Sequence, residues 1–444
     1  MLPDPGPLLS LRGLDLDRRT PDGPVRILQG IDLDLEPGTW TAVVGGNGSG
    51  KSSLLKFLAG EESPATGRVA LMVQDPDEQL IGGTVRQELC LGRGDLDPEP
   101  ILRDFGLEGA GDLNPHLLSA GQKQRLALAV TTGCDPAILL CDEPTALQDD
   151  AQAAWVLDRL DRWRRAVPGR TLLTATCDRR EAGRADRLVV LAGGRIVAQG
   201  PAADLLDKGE GDGFLAPGPI PAGERRREPA AGRGDPVLVL ENLACRFDDR
   251  GGGFAAVDLT LRPGQRLGIT GPNGCGKSTL LAVCAGLRSP EAGRVLLDGR
   301  GLYRGGRPDL DHGAALLAPQ FPEYFFSRPT VAGEIALDPR LAIRDAAEFL
   351  AAWGLPADLA RRNPHDLSSG QRRRLALGLV VHSGRPVLLL DEPTAAQDRE
   401  GRERILALLE GVPPEAGLVI ASHDRDFLVR AGCTLLALGP GGLA

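Results

Sequence analysis

The stretch GGNGSGKSS at 45–53 follows the apolar run 41–44 and leads into the apolar-periodic segment 54–58. Gly-x-x-x-x-Gly-Lys-Ser between a strand and a helix is a phosphate-binding loop. Glycines let backbone N–H groups close on phosphate oxygens, and the helix N-terminus adds its dipole. The residues expected to cradle phosphate are Gly45, Asn47, Gly48, Gly50, Lys51, Ser52 and Ser53, with Lys51 reaching the β- and γ-phosphates and Ser52 placed for Mg²⁺. GPNGCGKST at 271–279 repeats the pattern with Gly271, Asn273, Gly274, Gly276, Lys277, Ser278 and Thr279.

More of the chain repeats in the same order. LSAGQ at 118–122 returns as LSSGQ at 367–371, and LLCDEPTA at 139–146 returns as LLLDEPTA at 388–395. One module has therefore been duplicated. Between the copies, 208–236 (KGEGDGFLAPGPIPAGERRREPAAGRGDP) is dense in Gly, Pro and Ala and reads as a linker, its arginine run as solvated charge. The expected organisation is a first domain over 1–207, the linker over 208–236 and a second domain over 237–444. Each half alternates short apolar runs (41–44, 138–141, 172–175, 188–191) with longer helical patterns such as 122–132, which predicts an α/β fold with a largely parallel sheet.

Composition narrows the function. Of 444 residues, 42% are apolar and 25% charged, which excludes a disordered chain or a disulfide-stapled miniprotein. No apolar run approaches membrane-spanning length, and the N-terminal MLPDPGPLLSLRG lacks a basic segment followed by an apolar core, so a cytosolic protein without a secretory signal is expected. A net charge of −9 argues against nucleic-acid binding through bulk charge. The eight cysteines form no Cys-x-x-Cys pair, which removes zinc ribbons and iron–sulfur clusters. Only five of the 51 basic residues are lysines, and two of them are Lys51 and Lys277. In a chain that uses arginine almost everywhere, these sit where a compact ammonium is needed.

Four apolar residues before Asp142 and before Asp391 predict buried strands whose carboxylates emerge at the C-terminal sheet edge. There each aspartate can hold Mg²⁺ through water, and the next residue, Glu143 or Glu392, can orient and polarise an attacking water. With LSAGQ and LSSGQ at a constant interval before these aspartates, nearly the whole chain outside the linker resembles the ATP-binding-cassette (ABC) ATPases. The resemblance implies two tandem P-loop NTPase domains, each with a parallel core, an antiparallel β part and a helical subdomain, using ATP and Mg²⁺. It also implies that Ser119, Gly121, Ser368 and Gly370 clamp the γ-phosphate of ATP held by the opposite module, so that two domains paired within one chain form both composite sites. Gln74 in VQDPDEQL and Gln320 in PQFPEYFF match the Q-loop, which joins Ser52 or Ser278 and Asp142 or Asp391 at the metal and links the attacking water to a membrane partner. Asp149 and Asp398 match the D-loop.

The tail of the Q-loop motif resembles the ATPases of energy-coupling-factor (ECF) importers of vitamins and transition metals. That resemblance implies a peripheral protein on the cytoplasmic side of the membrane, docked on an integral T-type scaffold subunit with a substrate-binding membrane subunit. Two alternatives are a soluble tandem ATPase acting on ribosomes or DNA and the ATPase of another ABC transporter class. The short, helix-breaking linker and the absent zinc-binding cysteines weigh against the first, and no nucleic-acid partner is expected.

The halves differ. The family's switch histidine, a γ-phosphate contact, falls at His423 in ASHD, while TATCD carries Cys177, a weak donor. Phe247 matches the aromatic that stacks on adenine, whereas Arg18 and Arg19 occupy that region of the first half. The interval from Lys51 to Gln74 is shorter than that from Lys277 to Gln320, as if a strand and turn were trimmed. Two unequal sites are expected, with the one built on Lys277, Glu392 and His423 the more active.

Overall fold

Three strands whose every residue is buried, Trp40–Val44, Ile138–Asp142 and Thr171–Thr176, frame the first half. Such fully buried, largely apolar runs suit parallel strands covered on both faces. The computed structural model describes residues 8–20, 23–60, 68–94, 96–146, 148–210, 213, 215, 232, 234–246, 253–304, 307–308, 313–395, 397–439 and 441–443. By its internal contacts the chain divides into unit 1, Met1–Gly218 with Ala396–Glu400, and unit 2, Pro219–Ala395 with Gly401–Ala444.

Unit 1 opens with an antiparallel pair, β1 (Leu9–Thr20) and β2 (Gly23–Leu35). Then come β3 (Trp40–Val44), α1 (Lys51–Ala59), β4 (Val69–Met72), α2 (Val85–Cys90), α3 (Glu99–Asp104), α4 (Ala120–Gly133), β5 (Ile138–Asp142), α5 (Asp150–Ala166), β6 (Thr171–Thr176), α6 (Arg179–Ala182), β7 (Arg187–Ala192), β8 (Arg195–Pro201) and α7 (Ala202–Asp207). The sheet order is β4-β5-β6-β3-β7-β8, parallel except for the edge strand β8. Because β3 is inserted between β6 and β7, the loop leaving it opens beside the C-terminal ends of the neighbouring strands, where ligands of open α/β sheets bind. Helix α5 shows how the layers seal. Ala153, Val156, Leu157, Leu160 and Trp163 recur on one face and are buried, and the Asp149 carboxylate caps the helix by accepting from Gln152 N at 2.8 Å.

Unit 2 has β9 (Leu238–Arg246), β10 (Gly253–Leu261), β11 (Arg266–Thr270), α8 (Lys277–Cys284), β12 (Ala292–Leu297), the two-residue strands β13 (Arg300–Gly301), β14 (Tyr303–Arg304) and β15 (Arg307–Pro308), and β16 (Ala315–Ala318). It continues with α9 (Val331–Leu337), α10 (Ala346–Ala352), α11 (Ser369–Val381), β17 (Val387–Asp391), α12 (Arg399–Leu408), β18 (Gly417–Ala421), α13 (Arg425–Arg430), β19 (Thr434–Gly439) and β20 (Gly442–Leu443). Its main sheet, β16-β17-β18-β11-β19-β20, has the same order as that of unit 1, again with an antiparallel last strand. A second sheet, β10-β9-β12-β13, is antiparallel.

This is the expected α/β architecture twice over, each unit having a parallel core, an antiparallel part and a helical region before the signature helix. The shorter interval in the first half has a structural counterpart. In unit 2, β12 to β15 lie between α8 and β16, whereas among the described residues of unit 1 no strand lies between α1 and β4. No helix among the described residues is long and apolar enough to cross a membrane.

Candidate active site

Each phosphate loop joins a central strand to a helix through a left-handed glycine. Gly50 (φ 105°) precedes α1 and Gly276 (φ 102°) precedes α8. L-residues rarely adopt this conformation, and a Cβ on Gly50 would also lie 2.6 Å from Leu28 Cδ2. The turn folds each lysine back over its loop. Lys51 Nζ donates to Gly45 O at 2.7 Å, and Lys277 Nζ to Gly271 O at 2.9 Å and Pro272 O at 3.2 Å. Both side chains are only 7% exposed, held by carbonyls that a phosphate would outbid by charge. Ser53 and Thr279 follow in the first turns of α1 and α8. Asn47 N donates to the Asp398 carboxylate at 2.6 Å, inside the short segment that packs with unit 1.

Asp142 and Asp391 end β5 and β17, as the apolar runs predict. Each carboxylate is bonded by the serine of its own unit's loop, Ser52 or Ser278. In each, Oδ1 is buried without a hydrogen-bond partner, and burial raises the pKa, to about 6 for Asp391. A hydroxyl beside a carboxylate with an unused buried oxygen is a donor set that fits a hard divalent cation such as Mg²⁺. Gln74 and Gln320 follow β4 and β16, the strands bordering β5 and β17.

The adjoining glutamates have contrasting surroundings. Glu392 Oε1 accepts from His423 N at 3.1 Å, and Oε2 from Ser422 Oγ at 2.9 Å, with His423 Nδ1 also at 2.9 Å. Burial alone would raise its pKa, but the hydrogen bond and charge of His423 hold it below the ordinary glutamate value. Glu143 Oε2 has Cys177 N at 3.3 Å and Cys177 Sγ at 3.7 Å, and Lys51 Nζ stands 4.0 Å from Oε1. Burial pushes Glu143 up to about 7, against the pull of Lys51. Replacing histidine by cysteine therefore removes a strong donor and leaves the carboxyl partly protonated at neutral pH. The structure thus brings Lys51, Ser52, Asp142, Glu143 and Cys177 together in unit 1, and Lys277, Ser278, Asp391, Glu392 and His423 in unit 2.

Ser119 and Ser368 begin α4 and α11 as capping boxes, their hydroxyls accepting from Gln122 N and Gln371 N. Both serines are exposed, and Gly121 and Gly370 lie in the first turns behind them. Phe247 lies outside the described residues, while Arg18 is exposed on β1. Two nearby residues escape motif reading. Glu181 in α6 is fully buried beside Glu143, and Arg373 in α11 reaches Glu392. Their counterparts in the other half are Phe427 and Gln124, so neither position keeps its residue type between the two copies.

Residues 28–146 and 254–395 match the family described as ABC transporter. A Bifidobacterium longum protein, named provisionally as an ABC transporter ATP-binding protein, is 28% identical over 90% of this chain; this chain spans 61% of that relative's length. A Bacillus subtilis protein, named provisionally as an HMP/thiamine import ATP-binding protein, is 26% identical, with 98% of this chain and 91% of the relative covered. Among solved structures, the archaeal ribosome recycling factor aABCE1, in complex with ribosomal stalk protein aP1, superposes with a TM-score of 0.66 at 20% identity, covering 97% of this chain and 89% of that one. That likeness is one of fold.

Proposed function

Since this chain belongs to the ABC transporter family, with two of its domains in tandem, we propose that it is the ATP-hydrolysing subunit of an ECF-type importer of vitamins or transition-metal ions. In this reading it sits on the cytoplasmic face of the membrane, docked on an integral T-type scaffold subunit that works with a substrate-binding membrane subunit. The observation that carries the reading is an exposed apolar side chain shortly after each Q-loop glutamine: Ile81 is 79% exposed and Tyr324 is 82% exposed. In unit 2 a cavity of about 680 Å³ opens near this segment, lined by Leu316, Phe325, Leu337, Leu341 and Leu379. Apolar surface rimmed by polar residues suits a protein partner. The Bacillus subtilis relative, by its name, belongs to vitamin import.

Domain limits of 1–207 and 237–444, joined by the linker 208–236, go with this reading. ATP on the loop of Lys51 would meet Ser368 and Gly370, and ATP on the loop of Lys277 would meet Ser119 and Gly121. Ser52, Gln74 and Asp142, or Ser278, Gln320 and Asp391, would hold Mg²⁺, which neutralises phosphate charge when bound. Glu392, ionised and fixed by three donors, orients the attacking water, and His423 supports the developing charge on the γ-phosphate. Glu143, with Cys177 as its neighbour, makes the first site the slower one.

The test is to purify the full chain from membranes and identify what accompanies it. Integral scaffold and substrate-binding subunits are expected, with ATP turnover of the complex weakened by Tyr324→Glu. Recovery with ribosomes, and not with membranes, would overturn the assignment in favour of a soluble tandem ATPase.

A further inference from the structure

The guanidinium of Arg373 serves two loops at once. From the start of α11, Nη1 donates to Glu392 O at 2.6 Å and Nη2 to Gln320 O at 3.0 Å. Glu392 has a φ of 44°, a left-handed backbone that a non-glycine residue keeps only where its surroundings fix it. Three bonds fix it here. Its N–H donates to Ala421 O at 2.8 Å, and its carbonyl accepts from Ala395 N at 3.1 Å and from Arg373.

Unit 1 supplies the internal comparison. Glu143 has a φ of 50°, the same N–H bond to Ala175 O at 2.8 Å and the same carbonyl bond from Ala146 N at 3.0 Å. The residue matching Arg373 is Gln124, whose amide donates instead to Pro144 O at 2.8 Å. A neutral amide has neither the reach nor the planar fork that lets an arginine bridge two carbonyls. Burial draws Arg373 down to about 10, with Glu392, Glu323 and Asp391 opposing, so it remains a cation at neutral pH.

We propose that Arg373 is a positioning residue for ATP hydrolysis on the unit 2 phosphate loop, locking the backbones of Glu392 and Gln320 together onto the signature helix α11. The water-orienting carboxylate and the Q-loop are then set by one side chain, and any shift of α11 reaches both. Unit 1, with Gln124, has no such double attachment through this position. The inference rests on the roles proposed above for Glu392 and Gln320.

The experiment uses the full chain in a Glu143→Gln background, so that turnover reports the unit 2 loop. Steady-state phosphate release from Mg-ATP gives kcat and KM, and a fluorescent ATP analogue gives affinity. Arg373→Gln installs the residue that unit 1 already uses. It should lower kcat roughly ten- to a hundredfold, the scale of one charge-assisted hydrogen bond, here between Arg373 and the backbone that carries Glu392, with KM and analogue affinity unchanged. Arg373→Lys keeps the charge without the fork and should fall between Arg373→Gln and wild type. Unchanged kcat in Arg373→Gln, or a loss confined to KM, overturns the inference. Should Arg373→Gln not fold, Arg373→Lys decides alone, and wild-type kcat there overturns it. Glu392→Gln is run in parallel. Full loss there beside wild-type Arg373→Gln refutes only the role of Arg373, whereas wild-type turnover in Glu392→Gln refutes the functional reading beneath it.

Discussion

Glu181 is a buried acid whose removal should stabilise the protein in a pH-dependent way. It is 0% exposed, Oε2 accepts from Thr145 Oγ1 at 3.0 Å, and Oε1 is buried with no hydrogen-bond partner. An ionised carboxylate could not tolerate that unused oxygen away from water. Accordingly burial, reinforced by the charge of Glu143, pushes Glu181 up to about 8, and Thr174 and Thr145 recover only part of this. The folded pKa lies above the unfolded one of about 4.5, so between these values the unfolded chain sheds a proton that the native state retains. Stability from this group is full below about pH 4.5 and is lost as pH rises towards 8. At 1.36 kcal/mol per pH unit, the loss by pH 7 is about 3 kcal/mol. Glu181→Gln keeps the shape and removes the proton equilibrium. Urea unfolding of both proteins, followed by tryptophan fluorescence from pH 5 to pH 8, should show the variant gaining on wild type as pH rises. The difference between the proteins cancels the other titrating groups apart from Glu143, whose charge acts on Glu181. If their stabilities run parallel across that range, Glu181 is not held protonated and the reasoning fails.

Three further outcomes follow from the two sites. Glu392→Gln should abolish most of the phosphate release of the assembled complex and Glu143→Gln only a minor share, and equal losses would remove the inequality between sites. Cys177→His in the Glu392→Gln background should raise residual turnover by roughly ten- to a hundredfold, because it restores the donor that His423 supplies in unit 2; no rise would mean that Cys177 is not what limits the first site. Gly50→Ala forces a Cβ into a left-handed position against Leu28, so melting of the full chain and titration with an ATP analogue should reveal a loss of about 1–3 kcal/mol in the loop; wild-type affinity and melting would show that the turn relaxes freely.

The residues readable in the sequence are those whose role is local. A phosphate loop works through consecutive backbone groups, so Gly45 to Ser52 carry their own explanation, and a strand that ends in Asp-Glu announces its carboxylates by the apolar run before them. The parallel sheet was legible for the same reason, since 138–141 is a continuous apolar run of strand length and 172–175 a largely apolar one. What could not be read is what depends on one chain segment meeting another. Glu181 looks like an ordinary exposed residue in the string DRREA, and only the packing of α6 places it beside Glu143. Arg373 is one of three consecutive arginines, and nothing in that run tells which of them turns inward to two carbonyls.

Duplication offers a way past this limit. Two copies of one module share a backbone pattern, down to left-handed Glu143 and Glu392 with matching bonds to Ala175 and Ala421. Positions where the copies agree mark what the fold and the phosphate chemistry require. Two of the positions where they differ, Cys177 against His423 and Gln124 against Arg373, bear on the glutamate segment of each unit, and Glu181, against Phe427, is buried beside Glu143. In unit 2 an imidazole donor holds the glutamate ionised, and Arg373 holds its backbone carbonyl. In unit 1 neither is present, and burial pushes Glu143 up to about 7. Two separate changes at one glutamate would then make the proposed inequality a property of the whole carboxylate environment. Cys177→His alone should therefore recover only part of the unit 2 rate, and full recovery should need Gln124→Arg as well.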